Sequence, residues 1–245
     1  AEFARLVQVL NAMLGRLDRA SAVQRRFTAD ASHELRGPLT ALRGELDLAL
    51  KRERTPEEYR TTIARCREEV IRLTRVATDL LTLARNEAGL TPQDTTDVDL
   101  HLVAERVVGR FQAVATERGL RFALSGPATE VRGDLAMLER VVSNLVDNAV
   151  KHSPAGGTIA IELASGDPVA LTVRDQGPGV PPADQPQLFN RFFRGDVRHQ
   201  DSHSTGLGLA IAQAAAEAHG GRLAFLGNDP GAVFRLELPA EITPS

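Results

Sequence analysis

Ser32-His33-Glu34-Leu35-Arg36-Gly37-Pro38-Leu39-Thr40 sets a histidine beside a carboxylate in a strongly helical stretch, just ahead of a Gly-Pro pair. A neutral imidazole nitrogen is a competent nucleophile near neutral pH. A neighbouring carboxylate can hold the ring and accept the proton released as the nitrogen attacks phosphorus. His33 is therefore the candidate nucleophile and Glu34 the candidate base. At about 100° per residue, His33 lies about 200° around the helix from Leu35 and faces away from the apolar stripe, toward solvent. A histidine alone in a helix is more often solvated or structural; three downstream segments shift that weighting. Pro38 lacks an N–H and leaves the carbonyl of Glu34 without its helical donor, while Gly37 lowers local stiffness. A bend below His33 is expected, either a static kink that accommodates the packing or a dynamic hinge.

The downstream segments are Asn144-Leu145-Val146-Asp147-Asn148-Ala149-Val150-Lys151-His152, Asp175-Gln176-Gly177-Pro178-Gly179 and Thr205-Gly206-Leu207-Gly208-Leu209. Asn144 and Asn148 are one helical turn apart, so both amides project from one face, with Lys151 a further three residues on. Amide oxygens can ligate Mg²⁺, and an ammonium can meet a phosphate. Either Asn alone would read as a polar residue on an exposed face. Asp175 follows a strand-like run, and Gly177 and Gly179 permit positive φ and close backbone approach to a ligand; the carboxylate could accept from an adenine amino group. Gly-x-Gly by itself is more often only a turn. Gly206-Leu207-Gly208 opens a helix, where free N–H groups and the helix dipole favour an anion. Between the glycine segments, Phe189-Asn190-Arg191-Phe192-Phe193-Arg194-Gly195 and the polar stretch 196–205 read as a mobile lid. Its aromatics would anchor it and Arg191 or Arg194 would reach phosphates; the alternative is a loop with a hydrophobic anchor and solvated arginines. His199 and His203 have no third ligand and read as solvated.

The elements that must position these residues fall into two groups. Leu6, Leu10, Met13 and Leu17 form one helical stripe, and Phe27, Ala31, Leu35, Leu39, Leu42, Leu46 and Leu50 form a second whose phase drifts from a strict heptad. Thr55-Pro56-Glu57-Glu58 has a capping threonine, a proline suited to the first helical position and acids suited to the positive helix end. Ile63, Cys66, Val70, Leu73, Ala77, Leu80 and Ala84 then alternate by threes and fours. Two long helices joined by a short turn make a hairpin with too little core to stand alone, so a homodimeric four-helix bundle is expected. Residues 91–97, with Pro92, read as a linker. Beyond it the pattern predicts strands at 98–100, 120–124, 158–164, 169–174, 222–226 and 232–238, and helices at 101–118, 135–151 and 207–219. That is an α/β sandwich with mostly antiparallel strands.

The segment around His33, with Phe27-Thr28-Ala29-Asp30-Ala31 ahead of it, resembles the phosphoacceptor box of bacterial two-component sensor histidine kinases. The Asn144, Asp175, Phe189 and Gly206 segments resemble, in order and spacing, the N, G1, F and G2 boxes of the kinase catalytic domain, whose ATPase fold is of the histidine kinase/gyrase/Hsp90 type. Residues 1–20 resemble the end of a HAMP signalling domain. The resemblance implies a dimerising phosphoacceptor domain over 21–90, a linker over 91–97 and a catalytic ATP-binding domain over 98–245. It implies ATP and Mg²⁺ as cofactors, with Asn148 as metal ligand and Asn144 beside it, Lys151 and Arg191 on phosphates, His152 by the nucleotide and Asp175 reading adenine. His152 stands where the family usually has Tyr or Phe. The family's hydrolytic relatives carry a glutamate at the Asn144 position; an amide cannot activate water, so transfer to histidine should outcompete hydrolysis. Four residues after the histidine the family commonly has Thr or Asn, thought to position a water for dephosphorylating the partner, and this chain has Gly37.

The expected function is autophosphorylation of His33 and transfer of the phosphoryl group to an aspartate on the receiver domain of a response regulator. The alternatives are a regulator phosphatase and a non-catalytic dimeric module that binds ATP. A formal charge of -3 and a hydrophobic share of 42% over 245 residues fit two globular pieces and offer no broad basic field, so nucleic acid is not an expected partner. One cysteine, Cys66, excludes an internal disulfide framework, and a reducing compartment fits. No run of about 18 apolar residues is present. Any membrane attachment would come through segments before Ala1, making this the cytoplasmic portion of a bacterial inner-membrane protein.

Overall fold

A computed structural model of the chain describes residues 31–32, 35–51, 53–87, 94–195 and 205–240. His33, Glu34, the HAMP-like residues 1–20 and the loop 196–204 lie outside the described residues. The chain divides into two compact units, with the division after Leu80.

The first unit is helical. Helix α1 covers residues 35–50, with 31–32 also helical, and it continues through Gly37 and Pro38. Thr40 Oγ1 donates to the Arg36 carbonyl at 2.8 Å. Helix α2, Pro56–Glu87, begins with the expected cap. The Glu58 amide donates to Thr55 Oγ1 at 3.2 Å and the Glu58 carboxylate accepts from the Thr55 amide at 2.8 Å, a reciprocal capping box with proline at the first helical position. Arg54 donates to the Leu48 carbonyl at 3.0 Å, which satisfies one of the last acceptors of α1 and closes the turn. An ion pair from Arg65 to Glu45, 3.5 Å, links α2 to α1. Much of the apolar stripe stays open to solvent: Leu39 is 52% exposed, Leu50 85% and Ile63 66%.

The second unit is a two-layer α/β sandwich. Its elements are β1 (Thr95–Asp99), α3 (Leu100–Glu117), β2 (Arg121–Ser125), β3 (Glu130–Asp134), α4 (Leu135–His152), β4 (Thr158–Ala164), β5 (Val169–Arg174), α5 (Gly208–Ala218), β6 (Arg222–Asn228) and β7 (Ala232–Leu238). Five strands pair in the order β2-β4-β5-β7-β6, and β1 and β3 form a separate antiparallel ladder. All pairings in the larger sheet are antiparallel except β2 with β4. A parallel pair needs a long crossover, and β3 with α4 supplies it. Alternate residues such as Ile159, Ile161, Leu171 and Leu236 share one buried cluster with Val107 of α3, Leu138 and Leu145 of α4 and Ala212 of α5.

The expected strand at 98–100 begins earlier, at Thr95, inside the segment read as linker, and stops at Asp99 because Asp99 caps α3. Its carboxylate accepts from the His101 amide at 2.8 Å. Strand β3 was not among the expected elements: Glu-Val-Arg-Gly-Asp holds one large apolar residue, and its ladder with β1 joins Val98 to Val131. Strands β4, β5 and β7 have the expected bounds.

Candidate functional site

Helix α4 is fixed at both ends. At its start the Asp134 carboxylate accepts from the amides of Ala136 and Met137 at 2.9 and 3.1 Å. One face, including Leu138, Val141, Val142, Leu145 and Val146, is buried in the core. The other carries Asn144 and Asn148, both half-buried. The Asn144 amide nitrogen is itself buried and makes no hydrogen bond. A buried donor left unpaired costs about 1–3 kcal/mol, so its position calls for a partner from outside the protein. Gly208, at the start of α5, lies against this amide: a methyl group there would stand 3.5 Å from Asn144 Oδ1. Lys151 pairs with Asp147, one turn back on the same helix, and His152, the last helical residue, is exposed.

Asp175 follows β5 and is 2% exposed. Its Oδ1 accepts from the Gly177 amide at 2.8 Å and from the Ala232 amide at 3.0 Å, so Oδ2 is the oxygen left for a ligand. Burial holds its carboxyl above the usual carboxylate range, against the opposing pull of those two N–H groups and the charge of His152. The loop after it is tightly set. A Cβ on Gly177 would lie 2.5 Å from the His152 carbonyl oxygen, so only glycine lets this loop meet the end of α4. Gly179 has φ of 72°, and Asn228, at the end of β6, clamps the next residue: its Oδ1 accepts from the Val180 amide at 2.8 Å and its Nδ2 donates to the Val180 carbonyl at 3.1 Å. Asn228 was not singled out in the sequence; the Asn-Asp-Pro-Gly turn at 228–231 was the available signal.

The 205–208 segment meets the base of the loop that precedes it. Gly206 has φ of 67°, and a Cβ there would stand 2.7 Å from the Phe192 backbone. The Leu207 amide donates to Thr205 Oγ1 at 3.3 Å, and Leu207 is fully buried. The N-cap residue of α5, Leu207, gives its first turn no side-chain hydrogen bond, and the N–H groups of residues 208–210 lie at the helix end that favours an anion. Phe189 packs edge-on against Phe234 of β7, ring centroids 6.4 Å apart, which anchors the Phe189–Gly195 segment to the sheet. Arg191 is half-buried and Arg194 exposed. The second unit thus brings Asn144, Gly208, Phe192 and Gly206 together at one place, and His152, Asp175 and Gly177 at the adjoining end of α4. His33, Glu34, His199 and His203 lie outside the described residues.

Two family models match the chain. Residues 23–89 match the His Kinase A (phospho-acceptor) domain, and residues 133–242 match the histidine kinase-, DNA gyrase B-, and HSP90-like ATPase. The chain belongs to the sensor histidine kinases. It is 38% identical over 222 residues to the sensor protein IrlS of Burkholderia pseudomallei, covering 90% of this chain and 48% of IrlS. It is also 38% identical over 260 residues to the signal transduction histidine-protein kinase/phosphatase MprB of a Mycobacterium species, covering 99% of this chain and 49% of MprB. The chain therefore spans about half the length of these relatives. Among solved structures it is similar to the Acinetobacter baumannii histidine kinase AdeS, with a TM-score of 0.70 and 26% identity, covering 85% of this chain and 98% of that one. The kinase catalytic region supplies an ATP-binding domain, and the Asp175 and Gly206 segments lie within the part that matches it. No helix among the described residues is long and apolar enough to cross a membrane.

Proposed function

We propose that this chain is the cytoplasmic kinase core of a membrane-anchored bacterial sensor, that it binds ATP·Mg²⁺ in residues 98–245, and that it transfers the γ-phosphoryl group to His33 in residues 21–90. The observation that carries this reading is the buried, unpaired amide nitrogen of Asn144 beside the first turn of α5, in a chain whose residues 23–89 match a phospho-acceptor domain. A histidine nitrogen forms a bond to phosphorus as the bond from phosphorus to the ADP oxygen breaks, and the proton leaves to Glu34. Asp175 Oδ2 accepts from the adenine amino group. The N–H groups opening α5, with Lys151, Arg191 and Arg194, meet the phosphates; Thr205 and Leu207 hold the loop that leads to them. His152 lies against the nucleotide.

The residues suit Mg²⁺. No cluster of three or more His, Cys, Asp or Glu side chains able to hold a metal is present among the described residues, so a metal here would take neutral amide oxygens from Asn148 and Asn144 together with water and phosphate oxygens. When bound, Mg²⁺ supplies charge neutralisation on the phosphates. With an amide at Asn144 no side chain activates water, which favours transfer over hydrolysis. The phosphohistidine then passes its group to an aspartate on a response-regulator receiver domain, and the exposed stripe on α1 and α2 pairs with a second copy.

The first experiment is incubation with γ-labelled ATP and Mg²⁺, beside His33→Gln. Label on the parent alone, lost in acid and stable in alkali, is the expected result. Labelling that survives in the variant, or no labelling despite measurable ATP binding, overturns the assignment, and the latter outcome points to a non-catalytic binding module. A second reading, regulator phosphatase, is favoured by the kinase/phosphatase name of MprB. Gly37 offers no side chain to position a water, and a dephosphorylation assay on a phosphorylated regulator separates the two.

A further inference from the structure

Asn228 belongs to none of the segments assigned to the nucleotide, yet both ends of its side-chain amide are spent on the loop behind Asp175. That loop, residues 176–180, is fastened by side chains at its two ends. At its start Gln176 Oε1 accepts from the Thr158 amide at 2.8 Å. At its end Asn228 pairs with Val180 as a neighbouring strand would, Oδ1 accepting from the amide at 2.8 Å and Nδ2 donating to the carbonyl at 3.1 Å. Gln185 Nε2 also donates to that carbonyl, at 3.2 Å, so it is the Val180 N–H that depends on Asn228. The amide lies directly on the turn, because a Cβ on Gly179 would stand 2.5 Å from Asn228 Oδ1. Asn228 is exposed, so these contacts serve the loop and not the core.

The turn that carries Asn228 is built onto the strand that delivers Asp175. Arg174, the last residue of β5, donates from Nη1 to the carbonyl and the carboxylate of Asp229, each at 2.7 Å. The Asp175 amide donates to the Ala232 carbonyl at 3.1 Å, and the Ala232 amide donates back to Asp175 Oδ1 at 3.0 Å. A Cβ on Gly231 would collide with that same oxygen. Oδ1 therefore takes one N–H from the loop, at Gly177, and one from beyond the turn, at Ala232. The point where those two donors meet sets the direction of Oδ2. Hydrogen bonds weaken steeply as they lose alignment, so Oδ2 can read a base only while loop and turn keep their spacing. Asn228 is the side chain that spans the two. We propose that Asn228 is a positioning residue for base recognition: by pinning Val180 it holds the Gly177 N–H against Asp175 and so aims Oδ2 at an amino group on a purine. This rests on the nucleotide reading of the site.

The test uses the full chain with Asn228→Ala and Asn228→Leu, and measures by calorimetry the binding of ATP and of purine riboside triphosphate, which lacks only the amino group of the base. Leucine keeps bulk against Gly179 without either hydrogen bond, and thermal melts are the folding control. Loss of two solvent-facing hydrogen bonds supports an affinity effect of about ten-fold. ATP affinity should fall by about that factor in both variants and that of the analogue by less than about two-fold, so the preference for ATP shrinks about five-fold or more. An equal loss for both ligands makes Asn228 a structural tether alone and overturns the proposal, as does an unchanged preference for ATP. A preference lost with alanine and kept with leucine also overturns it, since bulk and not hydrogen bonding would then hold the loop. If Asn228→Ala fails to fold, the leucine variant decides. A parent that binds both ligands equally well removes the amino-group reading of Asp175, and a parent that binds neither removes the nucleotide reading; the proposal falls with either, and both are told from its own failure by the parent alone.

Discussion

Asp175 shows how one buried carboxylate serves two opposing demands. Its Oδ1 fastens the loop by accepting from Gly177 and Ala232, and burial raises its pKa, so the ionised group costs the empty protein stability. For an acid whose folded pKa is raised, the native state binds more protons than the unfolded one between the two values. Its contribution is fully present below the ordinary carboxylate range and is lost as pH rises through the elevated pKa. Asp175→Asn keeps an oxygen for both amides and removes the charge. The variant should therefore gain in melting temperature relative to the parent as pH rises from 4 toward 8, in melts without nucleotide. Its nitrogen would then meet the adenine amino group donor to donor, and ATP affinity should fall about 100-fold, the scale of a lost hydrogen bond to a charged group. Unchanged ATP affinity would remove Asp175 from the adenine pocket. This residue was legible in the sequence because a carboxylate followed a strand and preceded Gly-x-Gly. Its partner amide at Ala232 was not, since a contact across 57 positions leaves no local pattern.

The glycines at the mouth of α5 separate two roles at the scale of an element. Gly206 needs its positive φ, and a methyl group there would collide with the Phe192 backbone. Gly206→Ala should cost about 1–3 kcal/mol from the backbone alone and lower the melting temperature. Gly208 has ordinary helical geometry, and a methyl group would make only van der Waals contact with Asn144. Gly208→Ala should leave the melting temperature unchanged or slightly raised, while weakening ATP binding because the methyl narrows the space between α5 and the Asn144 amide. Equal melting temperatures for the two variants would count against this division of roles. On α2, Thr55→Ala removes the reciprocal cap and should destabilise the helical unit by about 1 kcal/mol, read by circular dichroism. The periodicity that made β4, β5 and β7 legible is side-chain alternation against a single core. It failed at β3, where charged residues and a glycine flank Val131 and the ladder with β1 does the ordering. It also missed Asn228, for which the Asn-Asp-Pro-Gly turn marked a loop but not the clamp on Val180, a contact 48 positions away.

At the scale of the whole molecule, the second unit closes its own core, whereas the helical unit leaves Leu39 and Leu46 about half exposed on one stripe. A two-fold pairing of such hairpins would bury both leucines of each copy, four in all. Burying four half-exposed leucines contributes on the order of 4 kcal/mol, or about three decades in dissociation constant. Replacing both with lysine disturbs little inside one chain, because both side chains already reach solvent. The double variant should keep its helical content and bind ATP as the parent does, since the second unit is untouched. Light scattering should then report a mass near 26.4 kDa for the variant and twice that for the parent at micromolar concentration. A parent that is already monomeric, or a variant that remains dimeric, places the interface elsewhere. The monomeric variant also divides the mechanism of transfer. If each catalytic unit reaches the His33 of the other copy, labelling becomes second order in protein and nearly vanishes at low concentration; if it reaches its own, the labelling rate per chain is independent of concentration. Mixing His33→Gln with Asn148→Ala chains gives the complementary answer in the dimer, since label appears only when donor and acceptor lie on different copies.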